Sequence, residues 1–159
     1  MSTPYTRSGT LRGLVLATAV TGTLLLLASF AGAIWSGGSP AAMLTNIASG
    51  IIGDAAWRDP LIGPVLGLLV HFIVIGALAD LYIVASIRIS ALNRHWRVSG
   101  ALFGLVAWMV RSTLAAPRDW PPAVFGLTAR EAVAQILLHV LLLGLPVALL
   151  TRWAARWKG

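Results

Sequence analysis

The chain has 159 residues, 58% of them hydrophobic with sixteen glycines besides, and only 11% charged. Soluble domains carry about 25% charged residues, so the composition speaks against a water-soluble enzyme, and the mean hydropathy of +0.85 agrees. The net charge of +7 comes from twelve Lys and Arg against five Asp and Glu. These cations lie between long apolar runs rather than in one patch, which fits orientation in a membrane and gives no nucleic-acid surface. With no cysteine in the chain, disulfides, thiolate metal sites, cysteine nucleophiles and thioether-linked haem are removed from consideration.

Crossing the hydrocarbon of a bilayer takes roughly 20 helical residues, and four stretches come near or exceed that length. The first covers residues 11–35. Its basic start, Arg7 and Arg12, and the run Ala31-Gly32-Ala33 imitate a signal peptide with its cleavage site. The apolar stretch is longer than a signal core, however, and a retained span is expected. Small residues recur every fourth position on it, Gly9, Gly13, Ala17 and Thr21, a spacing that lets helix backbones approach closely in lipid.

After this span, Ser39 and Pro40 have the residue types of a helix N-cap and first helical position. Leu44, Ile47, Ala48, Ile51, Ile52 and Ala55 then follow helical spacing, with Thr45, Asn46, Ser49 and Asp54 marking another face. An amphipathic helix over about residues 40–57 is expected, ending at an interfacial Trp57 and resting on the outer leaflet or roofing the bundle. The second span covers residues 61–87, with Gly63 and Gly67 leading to His71. The third covers residues 98–116, with Gly100 and Gly104 leading through Ala107 to Arg111. A loop stiffened by Pro117, Pro121 and Pro122 precedes the fourth span, residues 128–150, in which Gly144 and Pro146 predict a kink because the proline frees the carbonyl of Leu142.

Counting cations orients the bundle. Arg7, Arg12, Arg88, Arg94, Arg97, Arg152, Arg156 and Lys158 fall on one side, and only Arg58, Arg118 and Arg130, among acidic neighbours, on the other. By the positive-inside rule both termini are cytoplasmic. The expected fold is thus all-α: a single transmembrane domain over residues 1–159, a four-helix bundle with one short amphipathic helix in the first outer loop.

Ionisable groups within a membrane are costly and therefore functional candidates. His71 and His139 should share a level near the midplane, while Arg111 and Glu131 lie in the outer quarter. Glu131, Gln135 and His139 spread over only about 80° of one helix face, and Tyr82 shares the face of His71. Together these residues would make a polar track: an Arg111–Glu131 pair outside, then Gln135, then the two histidines. Asp80 points the other way, toward an inner-rim ion pair with Arg12 or Arg97.

Several functions meet such a track. The polar groups can lock the helices of a structural or assembly subunit. They can handle protons or a solute. Alternatively His71 and His139 can ligate haem b from two helices, giving an electron-transfer subunit. No cofactor is required by the other two readings, and no hydrolase or nucleotide-binding motif makes the chain an enzyme. The lipid bilayer is the expected partner, with a homo-oligomer or membrane complex beside it and no nucleic acid.

The ordered set of His71 to Tyr82, Gly100 and Gly104, a polar residue at 111, Pro117, Pro121-Pro122, and Glu131 eight residues before His139 resembles the YagU-like bacterial inner-membrane proteins over residues 61–152. That resemblance implies an integral inner-membrane protein with a loose association with acid resistance and no established catalytic mechanism. Arg111 stands where the family pattern has a histidine, and arginine stays charged where a histidine would titrate.

Overall fold

The computed structural model describes residues 7–114 and 128–155, and these are helical with short connections. Helix α1 (Arg7–Trp35) ends in a Schellman motif. Gly37, at φ 79°, takes the left-handed position, and the N–H groups of Gly37 and Gly38 donate to the carbonyls of Ile34 and Ala33. Helix α2 (Pro40–Ile52) opens as its sequence predicts, with the Ser39 hydroxyl accepting from Ala42 N–H and Pro40 in the first turn. A 3₁₀ turn (Gly53–Trp57) follows. The carboxylate of Asp59 then accepts from the N–H groups of Leu61 and Ile62 to start α3 (Ile62–Arg88). Those two bonds favour the ionised form and hold Asp59 below the ordinary carboxylate range.

A short helix, α4 (Ser90–Arg94), turns the chain into α5 (Trp96–Leu114). The turn is tied by polar contacts: Tyr82 to Ser99 across helices at 2.8 Å, Asn93 to the carbonyl of Ser86, and Ser99 to that of Leu92. The last rod comprises α6 (Ala129–Leu138), a π-helical segment (His139–Gly144) and α7 (Leu145–Ala154). Three of these helices, α1, α3 and the rod Ala129–Ala154, are long and apolar enough to cross a membrane. The described residues are all-helical, and the protein is a membrane protein. Helix α5 is not in that set; its nineteen described residues carry Arg97 and Arg111 toward their two ends. The proline loop, the end of the third expected span beyond residue 114, and Arg156 and Lys158 lie outside the described residues.

Lipid tails are as apolar as leucine, so these helices cohere through close approach more than through large buried side chains. The core shows this in Ala17, Ala79, Val147 and Ala148, each with no exposed surface, grouped around Tyr82. A second group joins Leu25, Ile75, Ala107 and Leu143. Another close backbone contact lies between α5 and the π segment. A Cβ on Gly144 would overlap the carbonyl oxygen of Gly100 and come within 2.7 Å of the Gly104 nitrogen, and one on Gly104 would sit 2.6 Å from the carbonyl oxygen of His139.

The predicted disturbance at Pro146 takes the form of this π segment. Proline offers no N–H to the carbonyl of Leu142, and the preceding turn widens so that Leu145 N–H reaches back to Val140. The widened turn brings the bare backbone of Gly144 against α5.

Helix α2 packs on the N-terminal part of α3, but not by its most hydrophobic stripe. Leu44, Thr45 and Ala48 are buried, whereas Ile51 and Ile52 are exposed. Gly67 meets the backbone of Leu44, and a Cβ on Gly63 would lie 2.9 Å from the Thr45 methyl. The Thr45 hydroxyl is accommodated by donating to the carbonyl of Ala41. Backbone proximity at two glycines thus sets the rotation of α2, and Ile51 and Ile52 are left exposed.

These contacts predict opposite effects at two glycines. Gly144→Ala should destabilise the fold by about 1–3 kcal/mol through overpacking. Gly50→Ala, where a Cβ meets nothing within 4 Å, should be neutral or stabilise α2 by up to about 1 kcal/mol. Thermal unfolding in detergent, followed by circular dichroism, measures both.

Candidate functional site

The polar residues singled out in the sequence occupy several separate local environments. His71, half-buried on α3, places Nε2 2.9 Å from the carbonyl oxygen of Gly22 on α1. The neighbouring Phe72 lies edge-on to the imidazole, with ring centroids 5.3 Å apart. Phe72 also covers Gly22, where a Cβ would fall 2.6 Å from the ring. A donor to a mid-helix carbonyl that already serves its own helix welds α1 to α3 at this level.

Tyr82, eleven residues further along the same face of α3, meets a different neighbour. Its hydroxyl bonds Ser99, and its ring lies 5.0 Å from that of Phe103 in an edge-on contact, both residues on α5. One face of α3 thus touches α1 at the height of His71 and α5 at that of Tyr82.

His139 is buried at the start of the π segment, and its Nδ1 lies 2.8 Å from the carbonyl oxygen of Gln135, one turn back in its own helix. Arg111 is exposed on the last described turn of α5. The indole N–H of Trp108, one turn before Arg111, is buried without a hydrogen-bond partner.

Glu131 is engaged elsewhere than the expected pair with Arg111. Its carboxylate accepts from both the backbone N–H and the hydroxyl of Thr128 at 2.8 Å each, while the Thr128 hydroxyl accepts from Glu131 N–H, forming a capping box that starts α6. The Thr-x-x-Glu spacing is itself the sequence signal of this motif, and it accounts for the acid without reference to Arg111. Among the described residues, no hydrogen bond between side chains joins His71, Arg111, Glu131, Gln135 and His139 into a line.

Two further residues stand outside these contacts. Asp80 is exposed on α3. Arg97, one of its two expected partners, instead lays its guanidinium over the Trp96 ring, 5.3 Å from the centroid. Trp96 and Arg97 had no place in the polar track, although an Arg beside a Trp at a helix end is a recognisable interfacial pair.

The described residues contain no group of three or more His, Asp or Glu placed to hold a metal ion. His71 faces α1 and His139 sits against α5. Two surface grooves, of about 480 and 390 Å³, are lined by neither imidazole. Compared with known proteins, the chain matches no family model, no curated protein and no solved structure. The residues themselves therefore carry the functional reading.

The His71 contact predicts a structural loss. His71→Leu keeps the bulk but removes the donor, and should lower stability by about 0.5–2 kcal/mol, the range for interhelical hydrogen bonds in membranes. His71→Gln, which retains a donor, should recover part of it in the same unfolding measurement.

Proposed function

We propose that the chain is a non-enzymatic, four-span protein of the bacterial inner membrane that serves as a structural or assembly subunit. Both termini are cytoplasmic in this reading, which rests on the eight cations assigned inside against three outside. Helix α5 supplies the fourth span, its Arg97 and Arg111 lying toward the two ends where a long side chain reaches the interface. The likeness to YagU-like proteins supports the same membrane.

The observation that carries the subunit role is Asp80. It is exposed on α3, eight residues and so about 12 Å of helix from Arg88. An acid facing hydrocarbon at depth is unfavourable, up to about 2.5–3.5 kcal/mol at the centre of a span, and such groups usually meet a partner. Its neighbours Ile73, Ala77 and Val84 are exposed beside it. By contrast His71, Glu131, Tyr82 and His139 are bonded within the chain. A partner helix, from a second copy or another membrane protein, that offers a donor to Asp80 resolves the mismatch.

Native electrophoresis of membranes solubilised in mild detergent tests this role. The wild-type chain should migrate as an assembly larger than one protomer, and Asp80→Leu should shift it to the monomer with unchanged helical circular dichroism. A monomeric wild type, or an assembly indifferent to Asp80→Leu, would sink the subunit reading.

A second reading, proton or solute handling with a link to acid stress, is favoured by one cluster. The buried His139 starts the π segment against α5, and the indole N–H of Trp108 on α5 is buried without a hydrogen-bond partner. A polar guest or water beside α5 would satisfy that donor. Proton flux into proteoliposomes should then be present in the wild type and fall at least tenfold in His139→Ala. Flux absent from the wild type, or unchanged in that variant, removes this reading.

A further inference from the structure

The larger surface groove, about 480 Å³, is open on one side and walled by three helices: Val20 of α1, Trp96, Arg97 and Ala101 of α5, and the Leu145–Leu150 stretch of α7. Arg97 is the single charged residue of the lining, and it stands at one end, in the first turn of α5. From Trp96 to Ala101 the wall extends about 7.5 Å along the helix axis, the length of five or six methylenes. The opposite wall has a similar length and includes Pro146, whose ring follows the widened π turn.

The groove therefore has a polarity: apolar along its length and cationic at the end nearest Arg94 and Arg97. Trp96 fixes the charged end. It packs against the core group of Ala17, Tyr82 and Ala148, and its ring holds the Arg97 guanidinium by a cation–π contact. Arg97 is exposed beside that contact, so its guanidinium N–H donors are available to an anion. Planar donors of this kind match phosphate oxygens, and cations at the inner rim of a membrane protein attract anionic lipids.

We infer that this groove binds an anionic glycerophospholipid of the inner leaflet, its phosphodiester on Arg97 and the first part of one acyl chain between α5 and α7. The apolar lining and single terminal cation suit a lipid rather than a free phosphate, which would find one arginine and no further polar group.

The test uses the full-length protein purified in detergent, delipidated, and reconstituted with phosphatidylcholine alone or with added phosphatidylglycerol. Native mass spectrometry counts lipids retained on the chain. Phosphatidylglycerol should be retained in preference to phosphatidylcholine, and Arg97→Gln should weaken that retention about fivefold or more, the scale of one interfacial cation. Ala101→Phe, which fills the groove without touching the charge, should lower it similarly. Arg94→Gln removes the same charge from the rim outside the groove and should change it little.

Equal retention of the two lipids, an unaffected Arg97→Gln, or an equal loss in Arg94→Gln would overturn the inference. Because the chain has no cysteine, Ala101→Cys offers one further check. Disulfide-linked dimers of that variant in native membranes would show a second copy in the groove and likewise overturn it.

Discussion

The backbone contact between Gly144 and the pair Gly100 and Gly104 constrains the rest of the bundle. In hydrocarbon no apolar surface gains by leaving the solvent, and cohesion comes from dispersion and polar contacts between helices that come close. Here the closeness has a specific origin. Pro146 cannot complete the α-helical ladder, the preceding turn widens into a π segment, and the widened turn carries a residue without a side chain against two others of the same kind. Gly13 under Ala154, and Gly22 under Phe72, extend the same principle to α1. The core can therefore draw heavily on alanine, the commonest of its buried apolar residues among those described.

Close packing also determines what the polar groups do. Where backbones approach, side chains such as His71 and Tyr82 can bridge neighbouring helices, and each replaces an unsatisfied group in lipid with a satisfied one. Where a polar residue stands at a helix start, as Glu131 does, the exposed N-terminal N–H groups of its own helix claim it first. Asp80, Arg97 and Arg111 look outward instead. The proposed subunit role and lipid contact rest on the exposure of Asp80 and Arg97.

Much of the helical organisation is legible in the chain itself. Apolar runs place α1, α3 and the last rod near their observed limits. Ser39 and Pro40 announce α2, and the small-residue stripes of Gly9 to Thr21, Gly63 with Gly67, and Gly100 with Gly104 are buried as their spacing implies. These features depend on periodicity and on the chemistry of neighbouring residues along one helix. The site was less legible. Residues 71 and 82 share a face yet touch different helices, and the polarity of Thr45 did not keep it from the interface with α3. Periodicity reports a direction from a helix axis; it does not report which neighbour lies in that direction at a given height.

The amino-acid sequence alone thus determined that the protein is helical and made for a membrane, because length and hydropathy suffice to demand internal satisfaction of every backbone group. It also marked the glycines and the proline at which helices could meet or bend. Tertiary structure decided which backbones meet, that the bend at Pro146 is a π turn, and that Glu131 caps a helix while Asp80 faces outward. The reason is geometric: those outcomes depend on the crossing angles of helices distant in sequence, and a one-residue rotation of about 100° exchanges a buried partner for the lipid.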